Sequence, residues 1–222
     1  MGPDELKHSR WGWGELGEPD HPDLALCTTA QEREWSEKLT PIYRQKFLLN
    51  RFFVRRWLAN WLNLEPQKLP LFAPPGQPPS LHEGFGMVNW SHSANRLLLG
   101  WSFEPFGVDL ERADRPVAAK ALLGRFFPPI EQTQLAHLKE NELQQAVLRS
   151  WVAKEALIKQ RRGSIASELG HWWMASEQPK AKHLPSGKWW PVQVQRVSWA
   201  GSPWLLGWSG VSVPELETLV WS

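Results

Sequence analysis

The 222-residue sequence has one cysteine, Cys27, and one tyrosine, Tyr43. A lone thiol cannot form an internal disulfide, and with seven scattered His it supplies no zinc ligand set. Long apolar runs are missing too, each being broken by Arg or Gly within a few residues, so no membrane span is expected. Met1-Gly2-Pro3-Asp4-Glu5 is acidic where a signal peptide would be basic and then apolar, and Leu6 stands where myristoylation wants Ser or Thr. Neither sign of charge dominates: 25 basic against 23 acidic residues give no broad polyanion-binding surface. Gly84-Phe85-Gly86 lacks the third glycine of a dinucleotide loop, and no Walker loop, Gly-x-Ser-x-Gly or His-Glu-x-x-His occurs. A cytoplasmic protein without membrane or nucleic-acid partners is expected, and two similar halves in one chain would make it a monomer. Sixteen tryptophans are present, for which composition alone supplies no reason.

The informative stretch is Leu148-Arg149-Ser150-Trp151-Val152-Ala153-Lys154-Glu155-Ala156-Leu157-Ile158-Lys159. It has no Gly or Pro and is rich in good helix formers. At 3.6 residues per turn, Leu148, Val152, Glu155 and Lys159 share a stripe that otherwise reads as buried, with Trp151 at its edge. A carboxylate and an ammonium on such a stripe are costly unless a metal, phosphate or partner meets them. The bland alternative is an i,i+4 ion pair on a solvated face, worth a few tenths of a kcal/mol. About 40 residues earlier runs Phe106-Gly107-Val108-Asp109-Leu110-Glu111-Arg112. In a strand, Asp109 and Glu111 project from one face about 7 Å apart and repel unless a cation intervenes. Alone, that pair reads as an ordinary polar strand face. Together with Glu155 it makes three hard oxygen donors suited to Mg²⁺ or Mn²⁺.

Gly107-Val108-Asp109-x-Glu111 followed by Trp151-x-x-Lys154-Glu155-Ala156-x-x-Lys159 resembles the signature pair of the 4′-phosphopantetheinyl transferases, and more closely the larger, Sfp-type members. Asn89-Trp90-Ser91-His92-Ser93 is similar to the family's Asn-x-Ser-His-Ser turn. Gly76-Gln77-Pro78 stands 13 residues before Asn89, where the family usually has Gly-Lys-Pro. The resemblance spans roughly Glu32 to Met174.

An internal repeat gives the fold expectation. Arg55-Arg56-Trp57-Leu58-Ala59-Asn60 echoes Arg149 to Lys154 at an offset of 94, and Leu98-Leu99-Gly100-Trp101-Ser102 echoes Leu205-Leu206-Gly207-Trp208-Ser209 at 107. The fold class expected is α+β: a pseudo-dimer of two similar halves, each a long helix on a small antiparallel sheet, with the active site in the cleft between them. The halves are placed at 1–104 and 105–222. Residues 1–30, rich in Gly, Pro and Asp, are expected to wrap the surface. Thr28 or Thr29 should cap a helix ending near Leu39. A long amphipathic helix is expected over Ile42–Leu62, its basic residues Arg44, Lys46, Arg51, Arg55 and Arg56 mostly solvating the outer face. Strands are expected at Met87–Trp90 and Arg96–Phe103 around a Ser91-His92 turn, and residues 112–130 as a linker.

The resemblance implies transfer of the phosphopantetheine arm of coenzyme A to a serine of an apo carrier protein, releasing 3′,5′-ADP. It implies a Mg²⁺ or Mn²⁺ on Asp109, Glu111 and Glu155, with Lys159 on the phosphates. Glu155 is also the candidate base, and Lys154 either stabilises the leaving phosphate or pairs with a neighbouring acid. Lys46, Gln77, Ser91 and His92 are the implied coenzyme-binding residues, Arg33 being a weaker candidate. Gln77 removes a charge that the family's Lys would supply. The carrier is expected to offer an acidic helix, with Lys120, Arg125 and Lys139 as basic counterparts. Two other readings remain at this level: a family member that binds carriers without catalysis, or a Trp-rich nucleic-acid-binding module.

Overall fold

The computed structural model of the chain describes residues 9–17, 24–175, 178–211 and 216–219. The fold is α+β. The chain divides into two compact units, Met1–Asn89 with Asn95–Phe103 and Val213–Ser222, and Trp90–Ala94 with Glu104–Ser212.

The first unit begins with β1 (Arg10–Glu15), a short α1 (Leu24–Cys27), α2 (Ala30–Glu37) and α3 (Pro41–Leu62). Thr29 caps α2 as expected: its hydroxyl accepts from the Glu32 N–H, and the Glu32 carboxylate accepts from the Thr29 N–H. Pro41 opens α3, where its missing N–H is no loss, and Asn63 ends it in the left-handed region (φ 54°). Arg51 and Arg55 do not solvate an outer face. Both are buried, Arg55 gripping Glu32 at 2.8 Å and donating to the carbonyls of Pro66, Leu69 and Leu71. A planar guanidinium with five donors can be satisfied by such a fixed ring of acceptors. β2 (Leu71–Phe72) and β3 (Ser80–Leu81) form a small ribbon, followed by β4 (Met87–Ser93) and β5 (Arg96–Ser102). The chain reverses two residues later than expected, at Ala94 (φ 51°), so Ser91 and His92 lie in a strand.

The second unit starts with β6 (Gly107–Arg112), α4 (Ala119–Phe126), α5 (Pro129–Leu135) and α6 (Glu140–Gln160). It continues with a short α7 (Ile165–Glu168), β7 (Trp172–Met174), β8 (Lys180–His183), β9 (Trp189–Pro191), β10 (Gln193–Trp199) and β11 (Ser202–Ser209). The last strand, β12 (Leu216–Leu219), belongs to the first unit. Residues 112–130 are therefore not all linker. Ala119, Leu123 and the following Phe127 pack with Leu143 and Val147, and that apolar face makes α4 a helix despite the basic residues between.

β1 corrects the surface-wrapping expectation. It pairs antiparallel with β5 and parallel with β12, in the order β12-β1-β5-β4, and Trp11 is fully buried. The glycines of Trp11-Gly12-Trp13-Gly14, which read as loop signals, make room for neighbours instead. A Cβ on Gly14 would lie 2.4 Å from the Trp57 ring of α3.

The same device recurs in the second unit, whose main sheet has the order β10-β11-β6. A Cβ on Gly207 would sit 2.5 Å from Val152 Cγ1, and one on Gly107 would sit 1.9 Å from the Ala156 carbonyl oxygen. The backbone of α6 thus lies directly on β6. Behind α6, Ala153, Ala156, Leu157 and Ile158 pack with Trp172, Ala181 and Val192 of the β7-β8-β9 region. The two Leu-Leu-Gly-Trp-Ser repeats are β5 and β11, touched by α3 and α6 respectively. No helix among the described residues is long and apolar enough to cross a membrane.

Gly107→Ala should therefore fail where most Gly→Ala changes in strands are tolerated, because backbone cannot rotate away as a side chain can. We expect a loss on the order of 3 kcal/mol by urea unfolding, and an unchanged midpoint would contradict the close approach.

Candidate active site

β6 enters the second unit with Gly107 to Leu110 buried, and its pleat puts Asp109 and Glu111 on one face. Two serines of β4 meet that face. Ser91 Oγ donates to Asp109 Oδ1 at 2.7 Å, and Ser93 Oγ donates to Glu111 Oε2 at 2.6 Å. The contact of α6 at Gly107 brings Glu155 and Lys159 against the same strand. Lys159 Nζ lies 2.7 Å from Asp109 Oδ1 and 3.5 Å from Glu155 Oε2. Trp151, one turn before Glu155, donates its indole N–H to Glu155 Oε1 at 2.6 Å. Asp109, Glu111, Glu155, Lys159 and Ser91, predicted from separate parts of the chain, are brought together.

The electrostatics are those of two carboxyls sharing a small space. Burial, reinforced by the charge on Asp109, raises Glu155 from 4.5 to about 7, while Lys159 pulls the other way. Glu155 is close enough to Asp109 for its protonated form to donate to it. Asp109 Oδ2 is buried and accepts from no N–H or hydroxyl. Glu111 is also raised, mainly by burial, against the Ser93 hydroxyl and Arg115, whose guanidinium is 3.2 Å away. Lys159 loses hydration by burial, but the two carboxylates more than offset this and raise it.

As a donor set, hard carboxylate oxygens around an unpartnered buried oxygen fit a hard dication. Among the described residues, no three His, Cys, Asp or Glu side chains are gathered as a ready-made cage. The Lys159 ammonium occupies the position of positive charge at Asp109, and Glu111 is engaged by Ser93 and Arg115.

Residues 105–192 match the family model described as the 4′-phosphopantetheinyl transferase superfamily. A Synechocystis sp. protein provisionally named a 4′-phosphopantetheinyl transferase is 33% identical over 166 residues, 72% of this chain and 67% of that protein. The chain belongs to the 4′-phosphopantetheinyl transferase superfamily. Its members take phosphopantetheine from coenzyme A. Asp109, Glu111, Lys154, Glu155 and Lys159 of this superfamily member lie within the matched span.

Other predicted residues of this superfamily member have other surroundings. Lys154 is fully buried, 2.7 Å from Glu131 and 3.6 Å from the centre of the Phe127 ring. Of its two expected roles, the pairing with a neighbouring acid is the one its surroundings provide. Burial lowers Lys154 to about 8 against the pull of Glu131. His92 is exposed on β4, and Lys46 and Gln77 are exposed residues of the first unit. Arg33 donates to the Thr28 carbonyl at 2.6 Å, within its own unit. Ser93, Trp151, Arg115 and Glu131 escaped the sequence reading as partners of site residues. The i,i+4 spacing of Trp151 and Glu155 was the one available signal.

The Lys154–Glu131 pair should be worth more whole than halved. Lys154→Met, which strands a buried carboxylate, should cost about 3–5 kcal/mol in chemical denaturation, and adding Glu131→Leu should restore most of it. Equal stability of the single and double variants would contradict this.

Glu155 binds its proton more tightly folded than unfolded. Its stabilising contribution is complete below about pH 4.5 and is lost as pH rises through about 7. With divalent cations chelated, thermal stability should fall over that window, by on the order of 3 kcal/mol from this group. Glu155→Gln should flatten the profile. A profile indifferent to that substitution would refute the shared-space picture.

Proposed function

We propose that this transferase moves the 4′-phosphopantetheine arm of coenzyme A onto a serine of an apo acyl or peptidyl carrier protein, releasing 3′,5′-ADP with the help of Mg²⁺ or Mn²⁺. The observation that carries the reading is the meeting of Asp109 and Glu155 around the Lys159 ammonium. Two buried carboxyls facing one another store an affinity for positive charge that a plain structural ion pair does not need.

Asp109 and Glu155 would hold the cation, with Glu111 as the third donor. A bound dication supplies charge neutralisation at the pyrophosphate. Lys159 already points its ammonium into this space and would bind a phosphate oxygen as a point charge. Glu155 is also the candidate acceptor for the proton of the carrier serine. The serine oxygen then bonds to the phosphorus, and the bond from phosphorus to the bridging oxygen breaks. The electron pair leaves with 3′,5′-ADP. His92, exposed beside the acid-bearing strand, is the candidate donor to the coenzyme's phosphates, and Lys46 and Gln77 are candidates for its nucleotide end. Lys154 acts through structure, by fixing α6 against α5. Lys120, Arg125 and Lys139, all exposed in this unit, are candidate contacts for an acidic carrier helix.

Incubation with coenzyme A, Mg²⁺ and a panel of apo carrier proteins, read by intact mass, tests the proposal. A phosphopantetheine-sized gain on at least one carrier is expected, abolished by chelator and slowed roughly 10²–10⁴-fold by Glu155→Gln. Carriers of unchanged mass across fatty-acid, polyketide and nonribosomal-peptide classes would overturn it.

A further inference from the structure

Each of the three acids is held by a neutral donor from a different position in the chain. Ser91 takes one oxygen of Asp109, Ser93 one oxygen of Glu111, and Trp151 one oxygen of Glu155. These three donors are uncharged and bind at 2.6–2.7 Å, and Asp109 Oδ1 also accepts from the Lys159 ammonium at 2.7 Å. The second oxygens are treated differently. Asp109 Oδ2 accepts from no N–H or hydroxyl, Glu155 Oε2 lies 3.5 Å from Lys159, and Glu111 Oε1 faces Arg115 at 3.2 Å. One oxygen of each carboxylate is thus fixed, and the other faces positive charge or no donor.

A role in burial alone explains this poorly. Ser91 could lie on the strand as alanine, and Trp151 could pack edge-on against Phe126, at 5.6 Å between ring centres, without its N–H. The i,i+2 spacing of Ser91 and Ser93 on β4 matches that of Asp109 and Glu111 on β6, so two strands of different sheets supply donors and acceptors in step. The indole reaches Glu155 from one helical turn away, which fixes its rotamer on the side facing β6.

We infer that Ser91, Ser93 and Trp151 are positioning residues, each fixing one oxygen of Asp109, Glu111 or Glu155 so that the other oxygen is left to meet positive charge, a bound dication included. The inference rests on the metal-dependent reading proposed above. It gives the hydroxyl of Ser91 a task toward Asp109, separate from the phosphate contact expected of its motif. Such partners hold ligands at fixed angles, and their loss commonly weakens metal binding 10–100-fold.

Mn²⁺ titration of the full chain, followed by the loss of free-ion electron paramagnetic resonance signal without coenzyme A, tests this apart from turnover. Ser91→Ala, Ser93→Ala and Trp151→Phe should each weaken Mn²⁺ binding, by roughly 10-fold or more. The metal-free melting temperature should change little. Ser93→Thr, which keeps the hydroxyl on a half-buried strand position, should restore it. Unaltered affinity in all three variants would overturn the inference while leaving the cation reading intact. Failure of the unsubstituted chain to bind Mn²⁺ would instead overturn the cation reading and this inference with it.

Discussion

Asp109 and Glu155 come from segments 46 positions apart and meet where neither can be fully solvated. Their mutual repulsion is the constraint around which the second unit is arranged. It is relieved by Lys159, by a proton on Glu155, or by a dication. The protein tolerates the arrangement because the rest of α6 is anchored apolarly: Val152 and Ala156 rest on Gly207 and Gly107, and Leu157 and Ile158 pack against Trp172. A methyl group at position 107 would push the helix backbone off the strand, so the glycine two residues before Asp109 controls the distance of Glu155 from it.

Buried charge serves a second purpose away from the cluster. In each unit the long helix carries a fully enclosed cation matched to an acid on a short neighbouring helix, Arg55 with Glu32 and Lys154 with Glu131. Such pairs add little net stability compared with apolar packing, but breaking one partner is costly, so they fix which helices meet. Glu131 also accepts from the Met174 N–H, which ties α5 to β7 as well as to α6. Adjacent residues of one helix are thereby assigned opposite tasks. Lys154 is sealed into structure, while Glu155, about 100° further round, faces Asp109 of β6.

The matched span contains the strand acids and the helix that meets them, whereas Lys46, Gln77, Ser91 and His92 lie before it. The chemistry of pyrophosphate cleavage needs positive charge and a base in one place. On the function proposed here the second unit would hold both, in residues whose charges would otherwise be a burden to folding.

Much of this was legible in the sequence. Period-2 and period-3.6 patterning placed Asp109 and Glu111 on one strand face and Glu155 and Lys159 on one helical stripe, and the Thr29 cap, α3 and α6 follow from local rules. Those features depend on residues within a turn or a pleat of one another. What escaped depends on distant contacts. Gly12 and Gly14 read as loop because an isolated sequence cannot distinguish a glycine that bends the chain from one that admits Trp57. Arg55 and Lys154 read as solvated or catalytic because only packing decides which cations lose water. The serines acquire their partners only when β4 and β6 are laid together, since a hydrogen bond between residues 18 apart leaves no periodic trace. The sequence by itself determined which residues could carry the charge; tertiary structure decided which of them face each other, because that is set by close packing of backbone on backbone.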